Sequence, residues 1–596
     1  MLNFFSINLN QSFVKNSLKF FFLAWAFFES LAFFNMFSMS DAILWQSSLL
    51  SGSFFFLLFL PLIYILILIS LPYLNRYGYK LNYFVWLKIS LKFFLFIYLT
   101  FYLILVYQLF NMNAALFAQF KVSEPFTFFE STGSLQTVSS LLSLLFNPEL
   151  NFNTLVPAAV SFIFYIDVLG ILFMGLSLLL IFLCVLFLWP TIELEKNIIL
   201  YLSQLFLLLT QLQMTFTAAN LLTFFVAFES LLIPMILMIA VWGSPNRRQA
   251  NNYLVFYTMV SAVPMLLGII YIQQKYGNLD ISYLMTVATW TWSEQFWLWS
   301  AFFFAFAVKT PMVPVHIWLP KAHVDAPTVG SVILAGLLLK VGLVGFIRIL
   351  LPLFPEATHF FAPYVSSLAT VGVIYASFIT LRQIDMKRII AYSSVAHMNM
   401  AVVSLCSLNP LGLYSSIYLM LSHGFIASGL FFLVGFLYNR FHVRAVAYFG
   451  GLATIMPVMT VVFFLFSLAN MAFPFTSGFI GEFLLLLSIS STNLFLGFLN
   501  ATSMLLTTIY TMLLFGRVFL GELKPKFQAL AQGVNYNLPT KTSFLVKKFS
   551  IYDLYYYEFV IVAILLFFIF WLGCYPQVLF SILLKSSNLG LICAFF

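Results

Sequence analysis

Residues 305–328 read "AFAVKTPMVPVHIWLPKAHVDAPT". The segment lies within a long apolar run, yet it sets Lys309 beside Pro311 and Pro314. Proline removes a backbone donor and clashes with the preceding turn, so a helix entering this segment must break there. The rest of the chain decides what surrounds the break. Of 596 residues, 63% are hydrophobic and only 8% are charged, far too few charges for the polar surface of a soluble protein of this size. The lysine and its prolines therefore sit in a membrane. Irregular backbone at that depth is tolerated only where it is buried in protein or lines a wet cavity.

Working outward, apolar runs long enough to cross a hydrocarbon core about 30 Å thick recur along the sequence. They are too long and too uniformly apolar for the alternating strands of a lipid-exposed barrel, so the fold is an all-α polytopic membrane protein. The runs predict spans at 54–74, 84–110, 158–189, 198–217, 219–242, 253–273, 296–319, 328–351, 362–381, 388–408, 411–437, 453–490 (interrupted), 494–516 and 557–584, fourteen in all. A further run, 20–37, follows Lys15 and Lys19 like a signal peptide. Its bulky Phe-rich end lacks a small-residue cleavage site, so it reads as a retained, membrane-spanning extra helix.

Charge placement tests the count, because basic residues gather in the loops of one side. Taking the fourteen spans alternately, one side collects seventeen lysines and arginines, among them Arg76, Lys80, Arg247, Arg382, Lys387, Arg440 and Arg517; the other collects four, Lys121, Lys275, Arg348 and Lys585. The net charge of +9 thus reflects topology, and nucleic acid is not an expected partner. The tract "TWTWSEQFWLW" at 289–299 reads as an interfacial aromatic belt. Two polar stretches, 111–157 and 517–556, read as surfaces for partners or lipid, and the second contains an amphipathic piece. The four cysteines form no CxxC or Cys/His cluster, so neither an iron–sulfur centre nor a disulfide framework is indicated. The 76 phenylalanines fit a gene in A+T-rich DNA, as in organelle genomes.

With the charges near span ends set aside, seven titratable residues stand out well inside the predicted spans: Glu29, Glu229, Lys309, Lys340, His397, His423 and Glu482. Each costs ~3 kcal/mol or more at bilayer depth, so each should face protein or water. Lys309 lies too deep to snorkel to the interface. Glu229, in "TFFVAFESLLIPMIL", is its natural partner. Lys340, in "GLLLKVGLVGF", is flanked by small residues that permit close helix packing. His397 and His423 suit proton transfer, although a buried neutral histidine with one hydrogen bond is common. Glu482 follows a second break in "MAFPFTSGFIGEF", where Pro474 and Gly478 interrupt the run. Two interrupted helices with nearby charges, one in each half, are the pattern of a transporter built from inverted repeats.

The run "KTPMVPVHIWLPKAHVDAPTVGSVILAGLLLKVG", with "DMKRIIAYSSVAHM", "LMLSHGFIASGLF" and "GFIGEF", resembles the chain 4 family of NADH:ubiquinone oxidoreductase, antiporter-like membrane subunits of respiratory complex I. The resemblance covers 158–516 well and the last helix more loosely. It implies a fourteen-helix antiporter-like core with two inverted five-helix repeats, in addition to the extra N-terminal helix. It implies a proton relay in which Glu229 and Lys309 are a charge pair, Lys340 the centre, His397 and His423 connectors and Glu482 the terminus. On this basis 1–53 is a lineage-specific segment with the extra helix, 54–157 the first two core helices and a polar loop, 158–516 the proton-translocating core, 517–556 a basic loop, and 557–596 the last helix and tail. The resemblance also implies that no cofactor binds this chain, with NADH, FMN, iron–sulfur clusters and ubiquinone on other subunits. Its implied partners are other membrane-arm subunits, including neighbouring antiporter-like chains, and lipids such as cardiolipin of the mitochondrial inner membrane. Related antiporter chains usually carry lysine where "GEF" has its glutamate. Two other readings stay open: a subunit of a multisubunit sodium/proton antiporter, and a structural spacer of the membrane arm.

Overall fold

A computed structural model describes residues 57–66, 68, 83–111, 164–192, 197–524 and 553–584. The 20–37 segment with Glu29, the 112–157 stretch and most of 517–556 lie outside the described residues. Each of the fourteen predicted spans contains helix: Leu57–Leu66, Tyr83–Asn111, Val168–Leu188, Ile198–Thr217, Leu221–Trp242, Arg247–Tyr276, Trp292–Lys309 continued by Trp318–Asp325, Thr328–Leu353, Pro355–Arg382, Met386–Leu405, Pro410–Phe441, Pro457–Asn470 with Ser477–Thr492, Leu494–Phe519, and Tyr556–Cys574 with Gln577–Leu584. Polar residues set several starts. Asp167 accepts from the Gly170 amide at 2.7 Å, and Asn220 accepts from the Leu222 amide at 2.9 Å, each satisfying a donor that the first turn leaves free. Gly277, at φ +68°, closes the long helix 247–276 in the left-handed region that glycine adopts without strain.

Contacts between helix ends sort the loops into two faces. On one, Arg348 pairs with Asp167 at 2.6 Å and donates to the Phe216 carbonyl at 2.7 Å, the Tyr165 amide donates to Thr217 O at 2.7 Å, and Lys275 pairs with Glu294 at 2.6 Å. On the other, Ser244 bonds Asp325, the Met386 amide donates to Arg444 O at 3.1 Å, and Arg440 pairs with Glu558. The first group joins the ends assigned to the side with only four lysines and arginines, here the acidic face, and the second those assigned to the side with seventeen, the basic face. The five consecutive helices 198–217, 221–242, 247–276, 292–325 and 328–353 form a unit whose first helix starts at the basic face. The five helices 355–382, 386–405, 410–441, 457–492 and 494–519 form a second unit whose first helix starts at the acidic face. In each set of five the fourth helix is broken, so the two units are inverted copies of one plan.

The first break spans Thr310 to Ile317 and holds both Pro311 and Pro314 as expected. The second spans Met471 to Thr476 and holds Pro474, but Gly478 lies in the first turn of Ser477–Thr492. Its role is close approach, since a Cβ there would lie 2.5 Å from the Ala469 carbonyl. Glycine thus lets the second half-helix abut the end of the first.

One clasp on the basic face ties the last helix to this core. Arg440 donates to the Glu558 carboxylate and, at 3.0 Å, to the Asp553 carbonyl; the Asp553 carboxylate caps helix 457–470 through the Val458 and Met459 amides at 2.7 and 3.0 Å. Glu558 is 1% exposed. Arg440→Ala strands that buried carboxylate, which should destabilise the protein by ~3–5 kcal/mol. The expected result is a lower thermal unfolding temperature of the protein, and an unchanged temperature would show the clasp to be dispensable.

Candidate functional site

The buried charges lie along the interior of the two inverted units. Lys309 is the last residue of its half-helix and is 3% exposed. The carbonyls near the break are largely satisfied without it: the Thr310 hydroxyl donates to Phe306 O at 2.8 Å, the Trp318 indole to Val308 O at 3.0 Å and the Asn399 amide to Pro311 O at 3.2 Å. The ammonium instead crosses to the neighbouring helix, where it donates to the Phe228 carbonyl at 3.2 Å and lies 4.3 Å from the centre of the Phe228 ring.

The neighbouring helix, 221–242, is itself interrupted. It runs as Leu221–Ser230 and Leu232–Trp242. Pro234 lacks the amide that would bond Ser230, a signal in "ESLLIP" that the sequence reading passed over. Glu229 sits at this third break. Both its carboxylate oxygens are buried and neither accepts a hydrogen bond among the described residues. Glu229 and Lys309 therefore act on each other through space, and no ion pair closes between them within 4.0 Å. Where the resemblance implies a charge pair, the structure has two neighbours held apart.

Lys340 is wholly buried on helix 328–353. Its helix passes close to the first break because Gly342 has no side chain: a Cβ there would lie 2.7 Å from the Thr310 methyl and 3.1 Å from Lys309 Cβ. Leu334–Leu338 is a π-helical turn, a local widening that often marks functional sites. The Lys340 ammonium bonds the Ala335 carbonyl of that turn at 2.5 Å and His423 Nδ1 at 2.9 Å. Gly336 and Gly424 let both helices seat against helix 168–188, since Cβ atoms there would lie 2.4 Å from Leu180 Cδ1 and 2.8 Å from Leu176 Cδ2. The His423 and His397 ring centres are 5.6 Å apart, and His397 Nδ1 lies 3.1 Å from Glu482 Oε1. Lys340, His423, His397 and Glu482, drawn from four helices, thus form one buried line from the first unit into the second.

Three further groups join this site. Lys387, counted by its sequence position among the loop charges, is 2% exposed and donates to Ala326 O at 2.8 Å and Ser331 Oγ at 3.3 Å. His323 stacks on Phe431 with centroids 4.7 Å apart, and neither ring nitrogen is hydrogen-bonded among the described residues. It sits in the opening segment, but a lone histidine there carries no distinguishing pattern. Tyr510, also buried, lies beside the second break within electrostatic reach of Glu482. Among the described residues no three His, Cys, Asp or Glu side chains converge to hold a metal.

Two inverted five-helix units, each with a broken fourth helix and buried ionisable groups alongside, define an antiporter-like membrane chain. Residues 218–508 match the family described as NADH:quinone oxidoreductase/Mrp antiporter, TM. The NADH-ubiquinone oxidoreductase chain 4 of Arabidopsis thaliana is 44% identical over 466 residues, 78% of this chain and 87% of that one. A chain of respiratory complex I from Thermus thermophilus with bound NADH superposes with a TM-score of 0.64 at 27% identity, covering 77% of this chain and 93% of that one. A chain of the Mrp complex from Dietzia sp. DQ12-45-1b gives 0.61 at 18% identity, covering 77% and 90%, and so shares the fold. The chain belongs to the NADH-ubiquinone oxidoreductase chain 4 family.

Proposed function

We propose that this chain is a proton-translocating membrane subunit of respiratory complex I in the mitochondrial inner membrane, and that Glu229, Lys309, Lys340, His423, His397 and Glu482 are its relay. The observation that carries this reading is the buried line from Lys340 through the two histidines to Glu482, with polar contacts at either end and the His423 and His397 ring centres 5.6 Å apart between them. A lysine beside a carboxylate holds its proton, and a lysine left alone in a low-dielectric interior gives it up. Because Glu229 and Lys309 are neighbours without contact, a small change in their separation changes the field at Lys309 strongly. A proton driven from Lys309 toward Lys340 meets His423 at hydrogen-bond distance, and the histidine pair passes it to the carboxylate of Glu482.

The work is done against the membrane potential, roughly 2.3 kcal/mol per proton per 100 mV. Quinone reduction elsewhere in the complex supplies it. This chain moves protons and no electrons; NADH, FMN, the iron–sulfur clusters and ubiquinone belong to other subunits. Neighbouring antiporter-like chains and lipids such as cardiolipin cover its apolar flanks, and the basic face is turned to the matrix, in keeping with the excess of basic residues on that side.

His423→Leu tests the line at its narrowest point. NADH-driven proton translocation in the assembled complex should fall by at least ~10-fold, the upper part of the range for losing a positioned proton-transfer group. Translocation at the parental ratio of protons to electrons would overturn the relay. Sodium or proton exchange that persists without electron flow would favour the antiporter reading instead.

A further inference from the structure

The relay makes no use of His316, which lies in the first break. This residue, in the turn Val315–Ile317, is 4% exposed, and its Nδ1 has no hydrogen-bond partner among the described residues. Its ring meets those of Tyr375 and Tyr392 edge-on, with centroids 5.6 and 6.1 Å away. Neither phenol hydroxyl is hydrogen-bonded among the described residues, and Arg388 lies within electrostatic reach of Tyr392. A buried imidazole and two phenols thus meet with hydrogen-bonding capacity unspent.

The three rings sit at the outer surface, at one depth below the basic face. Helices 355–382 and 386–405 are antiparallel neighbours joined by the short connection 383–385. Tyr375 precedes the end of the first at Arg382, and Tyr392 follows the start of the second at Met386, which puts both roughly 10 Å below the connection. On helix 355–382 the exposed residues Tyr364, Leu368, Val371, Tyr375, Phe378 and Arg382 recur every three or four positions and so form one stripe. It is apolar until it reaches the basic face, where it ends in an arginine. Around the connection Arg382 and Arg388 stand against one carboxylate, Asp385, while Lys387 is turned inward to Ala326 O. Guanidinium forks match phosphate oxygens, and basic pockets between membrane helices on the positively charged side take anionic headgroups. The imidazole and phenols, one to two turns deeper, stand where a glycerophospholipid carries its ester carbonyls, and the apolar stripe continues where its acyl chains lie.

We propose that this surface binds one anionic phospholipid from the leaflet on the basic face, with its phosphate on Arg382 and Arg388 and its ester carbonyls on Tyr375, Tyr392 and His316. The proposal rests on the reading that lipid covers the chain's apolar flanks, and it gives that lipid a defined seat. Because His316 belongs to the first break, the lipid rests directly against the segment that follows Lys309.

The test uses the assembled complex in phosphatidylcholine vesicles doped with phosphatidylglycerol that carries a photoreactive diazirine in one acyl chain, followed by peptide mapping. Labelling of the stripe 364–378 should exceed that from a phosphatidylcholine bearing the same chain by at least ~5-fold, the worth of one arginine near an anionic headgroup. Arg382→Gln with Arg388→Gln should bring it down to the phosphatidylcholine level. Tyr375→Phe with Tyr392→Phe, which keeps both rings and removes only the hydroxyls, should lower it at least ~3-fold, and this pair carries the test if the arginine pair fails to assemble. Equal labelling by the two lipids, or labelling untouched by the tyrosine pair, overturns the site and leaves an unselective lipid annulus. Absence of label on the stripe, with another polypeptide crosslinked there by a photoreactive residue at position 371, assigns the face to a protein partner and overturns it as well. The labelling needs no electron flow, so a failure of the relay in the pumping assays above leaves its outcome unchanged, and its own failure leaves the relay standing.

Discussion

Complexes carrying Lys309→Arg should pump hardly better than those carrying Lys309→Ala, both at least ~10-fold below the parental rate, because guanidinium keeps its charge yet practically never releases its proton. Arginine can reproduce the donation to Phe228 O, made at 3.2 Å, and the contact with the Phe228 ring. A purely electrostatic or structural role would therefore be rescued. Alanine removes the one cation that acts on the Glu229 carboxylate among the described residues. Proton uptake or release per electron pair, measured in sealed vesicles during NADH oxidation, separates the cases. If Lys309→Arg translocates at the parental ratio and rate, Lys309 is a fixed countercharge and the transfer step assigned to it is wrong.

Lys340→Met should abolish coupled proton translocation while leaving the amount of assembled complex equal to or greater than the parental amount. Methionine fills the space of the lysine stem, and removing a wholly buried ammonium relieves a desolvation burden of several kcal/mol. The interactions lost are those with Ala335 O and His423 Nδ1. Stability and function should thus move in opposite directions, which no packing role produces. Native gel electrophoresis with an NADH-dehydrogenase stain reads the first, and vesicle acidification the second. Parental pumping by Lys340→Met would remove the centre of the relay.

The sequence disclosed the residues of this site better than their connections. Lys309, with its prolines, could be read because a charge and two helix breakers within six residues have no comfortable place in a bilayer. The charge asymmetry among loops gave the alternation that the helix ends display. What stayed hidden depends on distances between helices. Lys340 and His423 are 83 positions apart, and nothing in either local pattern pairs them. The π-helical turn at 334–338 leaves no compositional mark. Lys387 was misplaced because a lysine one residue inside a helix end looks like an interfacial charge, whereas here the loop of the neighbouring unit folds over it. The break after Ser230 has its signal in Pro234, although the apolar run around it reads as uninterrupted.

The chain's direction through the first break has an electrical consequence. The half-helix 292–309 ends at Lys309, so the aligned peptide dipoles present their negative pole to the ammonium, an effect concentrated in the last turn and strongest where water is scarce. The break therefore selects the sign of the charge it carries. A carboxylate at position 309 would face that pole, so exchanging the residues at 229 and 309 would keep the net charge of the site and still not be a neutral exchange. Helix polarity, fixed when the chain threads the membrane, makes the lysine position intrinsically one for a cation.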